Sequence, residues 1–323
     1  MKLFKNVPTQ DTRNPEKRVI LTGASQRRMM REKHWEWAFF TCLFMPQPMY
    51  LACPMETIVN YNHTKQAGNK GDVWKHVILL SVMEKMLPYL SRSSSVHYFE
   101  THCGRCSYIL SPEGEWRDGI GTCSSVGKDL ADHPYFRIQG GSTEVGPSYH
   151  GSWFLAAAYL RRKRRSFRFT LCDISDEIET SVIKYKTQNQ EEIDFHCTDG
   201  FTALKKEVRR QDLIFIDPPY FPPDSLNDWQ SCADISADRA LSPIPFVIWY
   251  PLFDEENPQR LIDYAGSPGY EVQWKTQSGK KKMRGAGMVM GNCDSLFGKD
   301  DFMVLKRVAE HLGGRFHIRG SQG

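Results

Sequence analysis

The run Asp212-Leu-Ile-Phe-Ile-Asp-Pro-Pro-Tyr220 constrains the fold more than any other stretch of the chain. Four consecutive apolar residues, 213–216, without polar alternation suit a strand buried on both faces, as in the middle of a parallel sheet. Asp217 then falls where that strand ends. Two prolines cannot continue a central strand, so the backbone leaves the sheet in an extended, stiff form with free carbonyls. The carboxylate, the prolyl carbonyls and the Tyr220 ring are therefore expected to share one cleft at the carboxyl end of the sheet. Open α/β folds bind their ligands there.

The flanking sequence repeats the unit that such a sheet needs. Helices are expected at 72–87 with Asp72 as N-cap, and at 153–162, 176–187, 201–210, 258–265 and 301–312. Strands are expected at 95–100, 167–173, 193–197, 213–216, 245–250, 270–276 and 287–291. Alternation of the two predicts an α/β fold, a Rossmann-like, doubly wound and mostly parallel sheet of seven strands, with the short connection before the last one allowing an antiparallel pairing. Residues 105–148 carry many glycines and read as a loop-rich insertion with a short helix near 124–132. The main domain is expected over 55–312, preceded by an extension, 1–54, and followed by a basic tail, 313–323.

A chain of 323 residues that is 40 % hydrophobic can bury one large core. Its net charge of +4 is modest, but Arg161–Arg165, Lys205-Lys206 with Arg209-Arg210, and Lys280–Lys282 with Arg284 form local basic clusters. Each is an ordinary solvated face when taken alone; three together suit a polyanionic partner. Nine scattered cysteines, an odd number, suit reduced thiols in the cytoplasm. Cys103 and Cys106 lack a second ligand pair at zinc spacing, so no metal is expected. The uncharged run 37–55 is broken by Pro46, Pro48 and Pro54, which argues against a membrane-spanning helix.

An acid followed by Pro-Pro and an aromatic residue suits the gripping of a conjugated amino group. Hydrogen bonds from its two protons to Asp217 and the Pro218 carbonyl would draw density onto a nitrogen that is otherwise barely nucleophilic. Tyr220 would stack on the ring and set the angle of attack. The matching electrophile is a sulfonium methyl. A donor carrying adenosine needs further acids at strand ends to hold its ribose and adenine, and Asp173 and Asp199 with Gly200 stand in those positions.

With these residues placed, the chain resembles the RlmJ family, the 23S ribosomal RNA adenine-N6 methyltransferases. The matching pieces are Tyr61-Asn-His63, Ala67-Gly-Asn69, Asp72-Val-Trp-Lys-His76, Thr101-His-Cys-Gly104, Tyr149-His-Gly-Ser152, Thr198-Asp-Gly-Phe201, Trp249-Tyr-Pro251 and Gly285-Ala-Gly-Met288. They run in family order along roughly 58 to 312. The resemblance implies a class I methyltransferase that uses S-adenosyl-L-methionine. Donor contacts would fall to His76, His102, Gly104, Ser152, Asp173, Asp199, Gly200 and Asp217. Catalysis or contact with the base would fall to Asp217, Pro218, Pro219, Tyr220, Tyr61, His63 and Lys75. The expected substrate is 23S ribosomal RNA, free or early in assembly, acted on by a cytoplasmic monomer with no membrane association. Two departures stand out: Cys106 replaces the second glycine of the family's first turn, and Asp173 replaces a glutamate. Two other readings carry the same motifs, an N6-adenine methyltransferase of DNA and a non-catalytic RNA-binding protein on a methyltransferase scaffold.

Overall fold

The computed structural model describes residues 65–125, 127–140, 148–207, 211–220, 226–238, 243–275 and 283–320. These belong to the compact unit Tyr61–Gly323. The expected extension 1–54 and the two residues Tyr61 and His63 lie outside the described residues.

Helix α1 (Lys70–Met86) is buried over almost its whole length, with Trp74, Val77, Ile78, Leu79 and Leu80 fully enclosed. A helix surrounded by protein shows no single apolar stripe, so its sequence carries weak periodicity. Each enclosed Leu or Ile contributes about 1.5–3 kcal/mol of burial. Its N-cap is Asn69 and not the expected Asp72: the Asn69 side chain accepts from the Asp72 backbone N–H. Strand β1 (Val96–Glu100) follows, then a short ribbon of β2 (Ser107–Ile109) and β3 (Ser148–His150), with α2 (Lys128–Ala131) and α3 (Pro134–Gln139) between them. The insertion therefore holds a small antiparallel sheet and a second helix where a single helix was expected.

From α4 (Ser152–Arg162) onward the α/β units follow the sequence reading to within a few residues: β4 (Phe167–Asp173), α5 (Asp176–Asn189), β5 (Glu192–Cys197), α6 (Gly200–Glu207) and β6 (Leu213–Ile216). Next come α7 (Asn227–Ser236), β7 (Phe246–Pro251), α8 (Glu256–Ala265), β8 (Gly269–Trp274), β9 (Gly285–Gly291), α9 (Lys299–His311) and β10 (Gly314–Arg319). Helix α7 was not foreseen, although it buries Trp229, Cys232, Ala233 and Ile235 on one face.

Among the described residues eight strands, not seven, form the main sheet, in the order β10-β8-β9-β7-β6-β1-β4-β5. Strands β5, β4, β1, β6 and β7 are parallel; β9 runs antiparallel between β7 and β8, and β10 antiparallel on the edge of β8. The expected basic tail is thus in part an edge strand. Gly313, at φ 66°, reverses the chain after α9, and Arg319 reaches the buried Glu271 of β8 at 2.6 Å. One core packs α1, α4 and α9 on one face of the sheet, and a second packs α6, α7 and α8 on the other. The carboxyl ends of β1, β4, β5 and β6 consequently open on one shared edge.

Candidate active site

Strand β6 is buried at all four positions and delivers Asp217 to that edge. The Asp217 carboxylate lies 2.6 Å from the Lys75 ammonium, which is itself 2.7 Å from Asp72. Lys75 and Asp72 are one helical turn apart on α1, a spacing that places both on the same side. Both are buried, at 7 % and 3 % exposure. Burial works against the Lys75 ammonium, but the two flanking carboxylates, Asp217 first, outweigh it and raise its pKa above the ordinary lysine value. The other Asp72 oxygen accepts the Gly68 N–H at 2.8 Å.

Strand β7 places Trp249 beside this pair. Ile216 is in register with Ile248, so residues 217 and 249 are level on adjacent parallel strands. The Lys75 ammonium lies 5.5 Å from the centre of the Trp249 ring. The Trp249 indole N–H is buried without a partner among the described residues.

Tyr220 is placed differently from the expectation. Its backbone is left-handed, at φ 48°, a strained setting for an aromatic residue that often marks functional turns. Its side chain is buried at 2 % exposure, packs on Trp229 at 4.7 Å, and donates its hydroxyl proton to the Trp249 carbonyl at 2.8 Å. The ring is therefore not open for stacking on a base, and the partly exposed aromatic side chain beside Asp217 is Trp249. Pro218 is buried and Pro219 exposed.

The strand β1 ends in Glu100, fully buried between Tyr98, whose hydroxyl donates at 2.7 Å, and Ser152, at the first position of α4, whose hydroxyl also donates to it. Burial pushes this carboxyl up to about 8. The turn after β1 carries His102, whose Nδ1 is 2.8 Å from the Thr101 hydroxyl and whose ring meets Phe201 edge-on. Burial lowers His102 to about 4, so its imidazole is neutral at physiological pH. Gly104 adopts φ 59° and donates its N–H to Asp173 at 3.1 Å; a Cβ there would meet the Tyr108 hydroxyl at 2.6 Å. Only glycine fits both demands.

Asp173 ends β4 and accepts from Gly104 and, at 3.0 Å, from the Ser175 N–H. Burial raises its pKa above the ordinary aspartate value. The following Ile174 is 77 % exposed, a large apolar side chain left open beside that carboxylate. Asp199, after β5, accepts the Thr202 N–H at 2.8 Å and so caps α6. Burial opposes its charge, but hydrogen bonds from Thr202 and the neighbouring His102 hold it below the ordinary value. Gly200 lets α6 begin against β1: a Cβ would sit 2.0 Å from the Thr101 carbonyl oxygen.

The structure thus places Asp217, His102, Gly104, Ser152, Asp173, Asp199 and Gly200 at the ends of four neighbouring parallel strands, and brings Lys75 to Asp217 from α1. His76, one position along, turns to Tyr149, stacking at 5.6 Å with its Nδ1 2.8 Å from the hydroxyl. Glu100, Trp249 and Asp72, the partner of Lys75, join the site without an expected role in it. Glu100 was findable, since it ends a strand as Asp173 does. The i,i+3 spacing signalled Asp72, whereas Trp249 needed the register of β6 and β7.

A doubly wound sheet with one antiparallel strand inserted before its last parallel member, and a rim of acids at its carboxyl edge, defines a Rossmann-like class I methyltransferase. Its fold is shared with the crystal structure of a protein from Legionella pneumophila str. Philadelphia 1, which aligns at a TM-score of 0.66 and 20 % identity over 80 % of this chain and 99 % of its own. The family model "Ribosomal RNA large subunit methyltransferase D, RlmJ" matches residues 93–315, and the chain belongs to that family. It is similar to the ribosomal RNA large subunit methyltransferase J of Haemophilus influenzae, at 25 % identity, and that of Escherichia coli, at 26 %, in each case over 73 % of this chain and 87 % of the relative.

Proposed function

We propose that this protein transfers a methyl group from S-adenosyl-L-methionine to the N6 amino group of an adenine in large-subunit ribosomal RNA. The observation that carries this reading is the pairing of half-buried Asp217 with buried Lys75, set at the strand end where the backbone turns out through two prolines. With an ammonium at 2.6 Å, Asp217 serves as a hydrogen-bond acceptor for the substrate amine and not as a strong base. A second amine proton goes to the Pro218 carbonyl. These two bonds fix the nitrogen lone pair on the line of transfer, which supplies orientation before the reaction begins.

The residues on the neighbouring strand ends fit the donor. Asp173 offers a fixed carboxylate to ribose hydroxyls, the left-handed Gly104 lets backbone come close, and exposed Ile174 offers an apolar face to adenine. Glu100 with Ser152, neutral His102, and Asp199 with Gly200 complete that wall. The donor supplies an electrophilic methyl on a positively charged sulfur. The substrate nitrogen forms the new C–N bond as the C–S bond breaks with its electrons left on sulfur, and the surplus N6 proton passes to water. Trp249 borders the base once it is flipped from its stack, and Tyr61 and His63 are further contacts proposed for it.

The enzyme acts in the cytoplasm as a monomer on RNA that is free or early in assembly. Among the described residues no helix is long and apolar enough to cross a membrane. Labelled methyl transfer to RNA from cells lacking the gene, with a matched DNA as competitor, tests the proposal. Transfer to RNA alone supports it; transfer to DNA alone, or to neither, overturns it.

A further inference from the structure

One cation between a buried and a half-buried carboxylate is more than an ion pair needs. Lys75 holds Asp217 at 2.6 Å and Asp72 at 2.7 Å, and its ammonium has three N–H donors to distribute. The substrate amine must gain a hydrogen bond to the same Asp217 that the ammonium occupies. If Lys75 had only Asp217, yielding that carboxylate would leave a buried ammonium without an anion, an arrangement that is strongly penalised. Asp72 removes that penalty, because it stays in place: its second oxygen is held by the Gly68 N–H at 2.8 Å, and its own N–H is capped by Asn69 at 3.0 Å.

We propose, resting on the methyl-transfer reading above, that Asp72 is a positioning residue acting through Lys75. It keeps hold of the ammonium, already at 2.7 Å, as the adenine amino group engages Asp217, so that the catalytic carboxylate is shared with substrate without stranding the cation. The Trp249 ring, 5.5 Å from Nζ, presents a face that also attracts the ammonium. The ammonium gives up one of two contacts it already makes, so α1 has no need to shift.

The variant D72N keeps the shape and the acceptor for Gly68 but removes the charge. Lys75 then leans wholly on Asp217 and competes with the substrate. The expected result is a fall in kcat of about 10²-fold, with S-adenosylhomocysteine binding by calorimetry and the thermal midpoint close to wild type. In a K75M background the same D72N change lowers kcat no further, because the residue it acts through is gone. D72E, which retains the charge, recovers most of the rate, and it reports on the charge if D72N does not fold. Wild-type kcat in D72N, or an equal loss in both backgrounds, overturns the inference and leaves the methyltransferase reading intact. A wild-type protein that methylates no RNA overturns both.

Discussion

In the proposed reaction transfer depends on Asp217, and its effect separates from that of its neighbours. Asp217→Asn keeps the volume yet substitutes an amide for the acceptor, so kcat should fall by about 10²–10³-fold while large-subunit RNA binding, read by filter retention, changes little. Equal loss of rate and RNA affinity would speak against its role at the reacting nitrogen. Glu100 has a different signature. Burial raises its carboxyl from about 4.5 to about 8, so between those values the folded protein holds a proton that the unfolded chain has released. Its contribution is complete below about 4.5, declines as pH rises, and is exhausted near 8, a change on the order of a few kcal/mol. Glu100→Gln keeps the neutral form at every pH. Urea unfolding from pH 5 to 9 should show the variant losing less stability than wild type across that window, and parallel curves would refute the assignment. Most of the rim was legible in the sequence because a strand-end acid is visible as a pattern. Tyr220 was not, since a left-handed backbone turns its ring inward and no composition rule reports φ.

At the level of elements, buried parallel strands declared themselves through unbroken apolar runs, and β4, 167–173, has the bounds its sequence suggests. The edge strand β10 did not, because its alternating, partly exposed residues resemble a polar tail. What makes it a strand lies far away in the chain: Arg319 donates from Nε at 2.6 Å to Glu271, which is fully buried and also takes the Tyr250 hydroxyl at 3.1 Å. Such a pair is invisible until β8 and β10 are known to be neighbours. Removing the cation strands a buried carboxylate, so Arg319→Met should lower stability by about 3 kcal/mol, the low end of the usual cost because part of Arg319 meets water. Glu271→Gln combined with Arg319→Met should recover much of the loss. Thermal unfolding of the single and double variants checks both, and an additive double variant would show that the pair does not hold the edge.

Over the whole molecule, the charge pattern sorts by the two ends of the sheet. Arg162 ends α4 with Lys163 and Arg164 just after it, and Lys205 and Lys206 close α6. Both groups therefore stand where the chain is about to enter β4 and β6, at the amino edge and away from Asp217. Several are already committed: Lys163 pairs with Glu84 at 3.5 Å, Arg161 with Glu191 at 3.0 Å, and Arg165 donates to backbone carbonyls. Cations at the carboxyl edge include Lys70, over the Trp274 ring at 5.6 Å, and exposed Lys275, just after β8. The run Lys280–Lys282 lies outside the described residues, between Lys275 and Arg284. On the proposed reading a polyanion whose adenine reaches Asp217 meets Lys70 and Lys275, and each phosphate that a lysine neutralises steepens the salt dependence by about 0.7 for a single strand. Replacing Lys280, Lys281 and Lys282 by alanine should flatten the slope of log affinity against log salt by about 2 and weaken RNA binding across sequences. Replacing Arg162 and Arg164, or Lys205 and Lys206, should leave that slope unchanged. The reverse result, a slope governed by the amino-edge clusters, would mean that RNA wraps the far end of the sheet before its base reaches the cleft.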